Sequence, residues 1–143
     1  MLIFVYGTLK EGFPNFAVNR GVRVAGEFRT LLALPLMLVS ERHTPCLVWQ
    51  PGQGFRITGQ LFDADAAALA PMDELEGLGQ AGGYERRSLL VVPAADDRGS
   101  PIEAQVYVKQ PAQLRGQALP SGPHAEYTEE MARLYRRRSE RLG

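Results

Sequence analysis

The stretch LIFVYGTL at residues 2–9 is the most informative part of the chain. Its first four residues are all apolar and leave no polar face for water, so residues 2–5 are predicted to form a buried strand. Gly7 comes at the end of that strand and allows a sharp turn in which the backbone approaches whatever lies above it. The N–H groups of such a turn can form an anion-binding nest, suited to a carboxylate or an oxyanion. The alternative interpretation is a strand followed by an ordinary loop.

Length and charge narrow the classes of function. A chain of 143 residues has about the length of one ordinary domain, and we expect residues 1–143 to form a single domain. Sixteen basic and sixteen acidic residues cancel, so no long-range field would attract nucleic acid or an anionic membrane. Cys46 has no partner for an intramolecular disulfide, and the sequence shows neither a signal peptide nor an apolar run of the roughly 18 residues that would span a bilayer. We expect a cytoplasmic protein without nucleic-acid or membrane partners, and the sequence does not indicate its oligomeric state.

Many short strands and two substantial helices are predicted along the chain. The predicted strands after the first are 22–28, two short strands or a kinked edge strand within 31–39 around Pro35, 46–49, 55–62, 84–92 and 103–108. The predicted helices are 15–20 with Asn15 as N-cap, 65–76, and 123–141, where Tyr127, Met131, Leu134 and Tyr135 form an apolar stripe. Residues 110–123 are predicted to form a surface connection. The pattern favours an α+β fold in which a small, strongly curved sheet or barrel is flanked by helices.

Glu76 is the candidate catalytic residue, because helical geometry directs it onto an apolar face. At about 100° per residue Glu76 lies inside the stripe, whereas Asp73 lies at its margin and Glu74 faces water. The stripe consists of Leu69, Met72 and Leu75. Desolvation raises the pKa of such a carboxyl toward neutrality, as a general acid/base near pH 7 requires. The structural alternatives are that Glu76 pairs with Arg86 or Arg87, or that the helix ends early and leaves it in solvent.

The other reactive side chains give weaker indications. Cys46 is predicted to be a small core residue rather than a nucleophile. His43 and His124 have no neighbouring ligand residues, so no metal site is predicted, and His124 either reaches a pocket or begins the last helix. Tyr84 and Tyr107 fall in predicted strands, where they belong to the core or contact a ligand. The sequence contains no nucleophile elbow, P-loop or dinucleotide-binding motif, and no cofactor is predicted.

Several motifs in the same order and spacing resemble those of the gamma-glutamylcyclotransferase-like superfamily. Besides YGTL, they are GQLFD at 59–63, MDELEG at 72–77, YER at 84–86 and VYV at 106–108. Any one of them is weak, but the set in register over residues 1–108 is specific. Within the superfamily the chain is most similar to the bacterial short form and to the gamma-glutamylaminecyclotransferases, whose late GPH stretch resembles SGPH at 121–124.

The resemblance implies a small mixed β-barrel flanked by helices, with a cavity lined by the YGTL loop and Glu76. It implies a cofactor-independent enzyme that acts on a γ-glutamyl amine, amide or peptide, with Glu76 as general acid/base. The substrate's own α-amine would attack its γ-carbonyl, releasing 5-oxoproline and a free amine. Substrate contacts are expected from Tyr6, Gly7, Thr8, Leu9 and Tyr107. The leaving-group pocket is expected from loops 10–16, 40–46 and 110–124. A non-catalytic small-ligand binder and an interaction module with a structural Glu76 are the alternatives.

Overall fold

Five strands close into a barrel, and three more form a second sheet. The computed structural model of the protein describes residues 1–137. Its strands are β1 (Leu2–Val5), β2 (Val22–Leu34), β3 (Leu36–Val39), β4 (Thr44–Leu47), β5 (Phe55–Asp63), β6 (Glu85–Pro93), β7 (Ile102–Val108) and β8 (Ser121–His124). Its α-helices are α1 (Ala66–Leu75) and α2 (Glu129–Leu134), and short 3-10 helices lie at Phe16–Val18 and Pro111–Leu114. The barrel order is β1-β5-β2-β6-β7, and the second sheet has the order β4-β3-β8.

The first strand makes the barrel mixed. β1 pairs antiparallel with β5, where Phe4 lies opposite Leu61, and parallel with β7, where Ile3 lies opposite Gln105. The other neighbouring pairs of the barrel are antiparallel. The predicted α+β fold, a small mixed β-barrel flanked by helices, is therefore confirmed.

Both faces of β1 are buried, as its sequence predicts. Phe4 belongs to the same apolar core cluster as Ile57 of β5. Ile3 and Val5 point to the opposite face and belong to a second cluster with Met72 of α1. A strand paired on both edges and covered on both faces has no exposed side, which explains why its sequence shows no polar alternation.

Proline at position 35 divides the apolar segment that was predicted to be interrupted there. β2 runs to Leu34, well beyond the predicted end at residue 28, and β3 starts at residue 36. The longer β2 was missed because its pairing with β5 contains two irregularities that break the alternation of side chains. At one of them the Thr30 hydroxyl accepts a hydrogen bond of 2.8 Å from the Ile57 N–H. The predicted strands 46–49, 55–62, 84–92 and 103–108 are present as β4, β5, β6 and β7, with ends shifted by one or two residues.

The segment SGPH is a strand, which corrects the prediction of a surface connection running into a helix. β8 pairs antiparallel with β3, with Ser121 opposite Leu38 and His124 opposite Leu36. It lies at the edge of its sheet, a position that tolerates proline because no ladder hydrogen bond is needed on the outer side. Two polar residues, a glycine and a proline gave no strand pattern in the sequence. His124 bonds to the Ser121 hydroxyl at 2.8 Å instead of starting a helix.

The predicted helix over 123–141 is wrong over most of the range that the structure describes. Only α2 is helical, starting at the N-cap Thr128 and ending before Tyr135, and residues 138–141 of the prediction lie outside the described part of the chain. Tyr127, predicted on the helical stripe, precedes α2 and is fully buried, while Leu134 is 52% exposed. Lys10 donates a hydrogen bond of 2.6 Å to the Tyr127 carbonyl, which holds this segment in a non-helical path against the core. No helix within residues 1–137 has the length and hydropathy to cross a membrane.

Candidate active site

Helix α1 directs Glu76 toward the interior, as helical geometry predicts. Asp65 caps its start, accepting a hydrogen bond of 2.8 Å from the Ala68 N–H. The buried residues of α1 are Ala68, Leu69 and Met72. Glu76 follows as the C-cap with helical backbone angles, so its side chain keeps the direction of this buried arc. Leu75, predicted in the apolar stripe, is 42% exposed because it lies at the rim of a cavity rather than against the core.

The backbone on both sides of Glu76 is fixed by hydrogen bonds. Its N–H donates to the Met72 carbonyl at 3.0 Å, and its carbonyl accepts from the Tyr84 N–H at 2.9 Å. The loop between them turns back at Gly77, whose φ of +66° favours glycine. A Cβ on Gly83 would collide with the Gly77 carbonyl, so the loop can close only with glycine there. Glu76 therefore sits between a helix end and a short closed loop that leads into β6.

All six residues predicted to form the site lie in the wall of one cavity of about 740 Å³. They are Tyr6, Gly7, Thr8, Leu9, Glu76 and Tyr107. This volume falls within the range of sites that hold small molecules, so it accommodates a glutamyl group. One alternative from the sequence, an interaction module without a ligand site, predicts a cavity too small for a glutamyl group. The observed volume argues against it.

The carboxyl group of Glu76 is half-buried and unpaired. Burial raises its pKa to about 7, and the nearby positive charge of Lys109 opposes part of that rise. Within residues 1–137 no side chain forms a hydrogen bond or an ion pair with this carboxyl. Arg86, one of the expected structural partners, binds Asp73 at 3.1 Å, and Arg87, the other, lies 3.5 Å from Glu85. A carboxyl that titrates near neutrality and has no partner can accept and return a proton.

The turn after β1 has unused backbone donors. For residues 1–137 we find no acceptor bonded to the N–H groups of Gly7, Thr8 or Leu9. Gly7 is required by a close approach, since a Cβ there would lie 2.8 Å from Cγ of Pro45. Residues 7–9 and Glu76 line the same cavity, so backbone donors left unbonded by the described residues and a carboxyl occur in one site.

Two asparagines form hydrogen bonds that hold this turn in place. Asn15 was predicted to cap a helix over 15–20, but only a 3-10 helix forms there and its side chain makes no cap bond. Instead its Nδ2 donates to the Thr8 hydroxyl at 3.0 Å, and its N–H donates to the Thr8 carbonyl at 2.8 Å. Nδ2 of Asn19 donates to the Leu9 carbonyl at 3.1 Å. These hydrogen bonds fix the turn through the Thr8 and Leu9 carbonyls and leave its N–H groups unbonded among the described residues.

The phenols of Tyr6 and Tyr107 have different surroundings. The Tyr6 hydroxyl donates to the Tyr107 carbonyl at 2.9 Å and accepts from the Leu47 N–H at 3.2 Å, so it ties β7 to β4. The Tyr107 hydroxyl donates to Oδ1 of Asp73 at 2.6 Å, and Asp73 is held in turn by Arg86. Burial and the Asp73 carboxylate raise the pKa of Tyr107 well above its usual value, so it stays protonated. Its oxygen keeps a lone pair for a ligand.

Lys109 and Arg42 also line the cavity. Lys109 was not among the predicted site residues, and Arg42 lies in loop 40–46, which was expected to contribute to the leaving-group pocket. Lys109 lies at the junction of barrel and second sheet, where its backbone bonds to Leu47 and Trp49. Its ammonium lies 4.6 Å from the centroid of the Tyr84 ring. Lys109 follows Tyr107 by two residues and so shares its side of the strand, a spacing that could have identified it. For Arg42 the sequence indicated only its loop and did not single out the residue.

Several expectations about other residues can be compared with the structure. Cys46 is a core residue, as predicted, and burial raises the pKa of its thiol to about 12, which removes its nucleophilic form near neutral pH. Neither histidine lines the cavity. Of the three loops expected to form the leaving-group pocket, 10–16 and 40–46 contribute residues to the cavity wall, whereas 110–124, which the structure describes in full, contributes none. Among the described residues, no cluster of three or more His, Cys, Asp and Glu side chains is arranged to hold a metal ion.

Comparisons with known proteins agree with this architecture. The sequence model of the family "Gamma-glutamyl cyclotransferase, AIG2-like" matches residues 3–139. Gamma-glutamylaminecyclotransferase from Homo sapiens is 34% identical over 118 residues, which cover 75% of this chain and 76% of that protein. The same enzyme from Mus musculus is 32% identical over 114 residues, or 73% and 75% of the two chains. The crystal structure of an AIG2-like protein from Mus musculus superposes with a TM-score of 0.78 at 31% identity, covering 98% of this chain and 97% of that one. The chain therefore belongs to the gamma-glutamyl cyclotransferase, AIG2-like family and is an enzyme of the gamma-glutamylcyclotransferase type.

Proposed function

We propose that the protein converts a γ-glutamyl amine, amide or peptide into 5-oxoproline and a free amine. The observation that carries the proposal is the unpaired Glu76 carboxyl, with its pKa raised to about 7, in the same cavity as the free N–H groups of residues 7–9. The printed names of the human and mouse relatives, gamma-glutamylaminecyclotransferase, support the same substrate group. A cytoplasmic location is part of this proposal.

The reaction needs a proton carrier and a fixed geometry. The substrate's α-amine attacks its own γ-carbonyl, a C–N bond forms to close a five-membered ring, and the C–N bond to the leaving amine breaks. The α-ammonium loses two protons when it becomes the lactam nitrogen, and the departing nitrogen gains two when it leaves as an ammonium. Glu76 relays these protons from one nitrogen to the other. Because both reacting groups belong to one molecule, positioning supplies much of the rate.

The turn after β1 would bind the anionic part of the substrate. The N–H groups of Gly7, Thr8 and Leu9 are suited to hold its α-carboxylate or to stabilise the oxyanion of the tetrahedral intermediate. Loss of one such donor commonly reduces the rate by about 10²–10³-fold. Tyr6 and Tyr107 complete the proposed contacts, Tyr107 through its remaining lone pair and Tyr6 through its ring, since its hydroxyl is engaged by the backbone.

The test is release of 5-oxoproline from several γ-glutamyl amines, amides and peptides by the purified protein. We expect turnover by the native chain, and Glu76→Gln should fold normally but lose nearly all of it. Glu103→Gln is the matched control, because Glu103 is exposed and lies outside the cavity. Binding of γ-glutamyl compounds without release of 5-oxoproline would instead support the alternative, a non-catalytic ligand-binding protein. Substantial activity in Glu76→Gln would refute the role of this residue.

A further inference from the structure

The charged side chains of the cavity do not balance. Arg42, Lys109 and Arg137 line it together with Glu74 and Glu76. Even with both acids ionised, these lining residues, all within the described range 1–137, carry a surplus positive charge. A γ-glutamyl group brings one carboxylate and one ammonium and adds no net charge of its own. A leaving group that carries a carboxylate would complement the surplus.

Two of the three cations already interact with other groups of the site. Lys109 is close enough to Glu76 to lower its pKa and lies over the Tyr84 ring, so it belongs to the reaction centre. The Arg137 guanidinium donates to Oδ1 of Asn15 and to the Pro14 carbonyl, at the rim. Arg42 is therefore the cation that is available to bind a charged group on the leaving part of the substrate.

Arg42 is held by its backbone while its side chain is unengaged. Its N–H donates to the Ser40 hydroxyl at 3.2 Å, and its carbonyl accepts from the Arg136 N–H at 2.9 Å. Ser40 and His43, on either side of it, have positive φ angles of 65° and 55°. No hydrogen bond or ion pair to the half-buried Arg42 guanidinium occurs in the described part of the chain. Its five donors are therefore available to a planar anion such as a carboxylate.

A second unused group lies beside Arg42. Thr44 follows it by two residues and also lines the cavity. The Thr44 hydroxyl is buried and has no hydrogen-bond partner within residues 1–137. A polar group of this kind costs free energy unless a ligand or water satisfies it. Arg42 and Thr44 thus both bring unused polar groups to the lining of the cavity.

On the basis of the proposed function, we infer that Arg42 determines specificity by binding a carboxylate on the leaving amine. The substrates are then γ-glutamyl derivatives of amino acids or other acid-bearing amines, rather than of plain alkyl amines. Arg42 acts on substrate selection and takes no part in proton transfer.

Two matched substrate pairs test this inference, since their members differ only by a carboxylate. One pair is γ-glutamylalanine and γ-glutamylethylamine, with the acid next to the scissile nitrogen. The other is the γ-glutamyl derivatives of 6-aminohexanoate and pentylamine, with the acid farther away. We expect the native protein to show a kcat/KM at least about tenfold higher for the acid-bearing member of one pair. Arg42→Gln should remove that preference by lowering kcat/KM of the acid-bearing member about tenfold, while Arg42→Lys should keep part of it.

Arg115→Gln is the control, because it removes the same charge from an exposed residue outside the cavity. Continued turnover of the uncharged substrate by Arg42→Gln shows that the variant is folded. Equal kcat/KM within both pairs, or a preference that Arg42→Gln leaves unchanged, would overturn the inference while turnover itself still supports the proposed function. Absence of 5-oxoproline from all four compounds would contradict the proposed function, and the inference would fall with it.

Discussion

Tyr107 donates a hydrogen bond of 2.6 Å to Asp73, and this contact distinguishes Asp73 from Glu76, the other acid on the buried side of the same helix. Asp73 also binds Arg86 at 3.1 Å, so its charge is matched and its position fixed. Glu76, three residues later, has no such partner within residues 1–137. The pairing of Asp73 thus engages Arg86, one of the partners expected for Glu76, and Asp73 also orients the phenol of Tyr107, which lines the cavity.

The Tyr107–Asp73 contact should be measurable as a coupling energy. In a double-mutant cycle of Tyr107→Phe and Asp73→Asn, we expect each single change to destabilise the fold by about 1–3 kcal/mol and the pair to be coupled by about 1 kcal/mol, since the hydrogen bond to a carboxylate is partly buried. Urea unfolding of the four proteins measures both quantities. Purely additive effects would show that the bond contributes nothing to stability.

The activity should depend on pH through Glu76. Its carboxylate form accepts the proton from the α-ammonium, and its pKa is raised to about 7 by burial. Below that value the carboxyl is protonated, so kcat/KM should fall about tenfold per pH unit as the pH drops below 7. The measurement is kcat/KM for 5-oxoproline release between pH 5 and 9. A profile flat down to pH 5 would exclude a base with this pKa.

Lys109 provides a control for that assignment. Its positive charge lowers the pKa of Glu76, so Lys109→Met should shift the acid limb of the profile to higher pH. Lys109→Arg keeps the charge and should leave the limb close to its native position. If both variants shift the limb equally, the effect comes from packing rather than from charge.

The raised pKa of Glu76 should also appear in the stability of the fold. The pKa is about 7 in the folded protein against an ordinary value of 4.5, so the unfolded state ionises first as the pH rises. Folding is therefore penalised progressively between pH 4.5 and 7, and the penalty is constant above 7. Glu76→Gln removes it and should raise the free energy of unfolding at pH 8 by up to about 3 kcal/mol, with no gain below pH 4.5. Denaturant unfolding of both proteins at pH 4 and pH 8 is the measurement, and a gain of equal size at both would contradict the assignment.

Local patterns in the sequence were sufficient to predict the strand of residues 2–5 and the direction of Glu76. Both depend on neighbours along the chain: a run of apolar residues in one case and the 100° turn of a helix in the other. The strand at Ser121–His124 could not be predicted in this way, because its pairing with β3 depends on residues more than eighty positions away. The same applies to Tyr127, whose apolar spacing suggested a helix, whereas a hydrogen bond from Lys10 holds it in a different conformation.

The cationic residues of the site were likewise hard to identify from neighbouring residues in the sequence. The sequence indicated loop 40–46 but did not single out Arg42 within it, and Lys109 could have been identified only by its spacing from Tyr107. The closed loop that fixes Glu76 is likewise a property of the fold, although its glycines are visible in the sequence.

Replacement of Gly7 tests whether the turn after β1 forms the anion site. In Gly7→Ala the new Cβ would lie 2.8 Å from Cγ of Pro45, so the turn or the proline must shift. We expect a loss of about 1–3 kcal/mol in stability and a larger relative loss of kcat/KM, because the N–H donors of residues 7–9 move with the turn. Thermal unfolding and 5-oxoproline release measure the two effects.

A compensating change distinguishes this clash from a general intolerance of the turn. Pro45→Ala removes the Cγ that the Gly7→Ala methyl would meet, so the double variant should recover part of the activity that Gly7→Ala loses. Gly99→Ala is the control, since Gly99 lies in the loop between β6 and β7 and outside the cavity, and it should leave kcat/KM unchanged. Native kcat/KM in Gly7→Ala would contradict the prediction that the clash with Pro45 displaces the N–H groups of the turn.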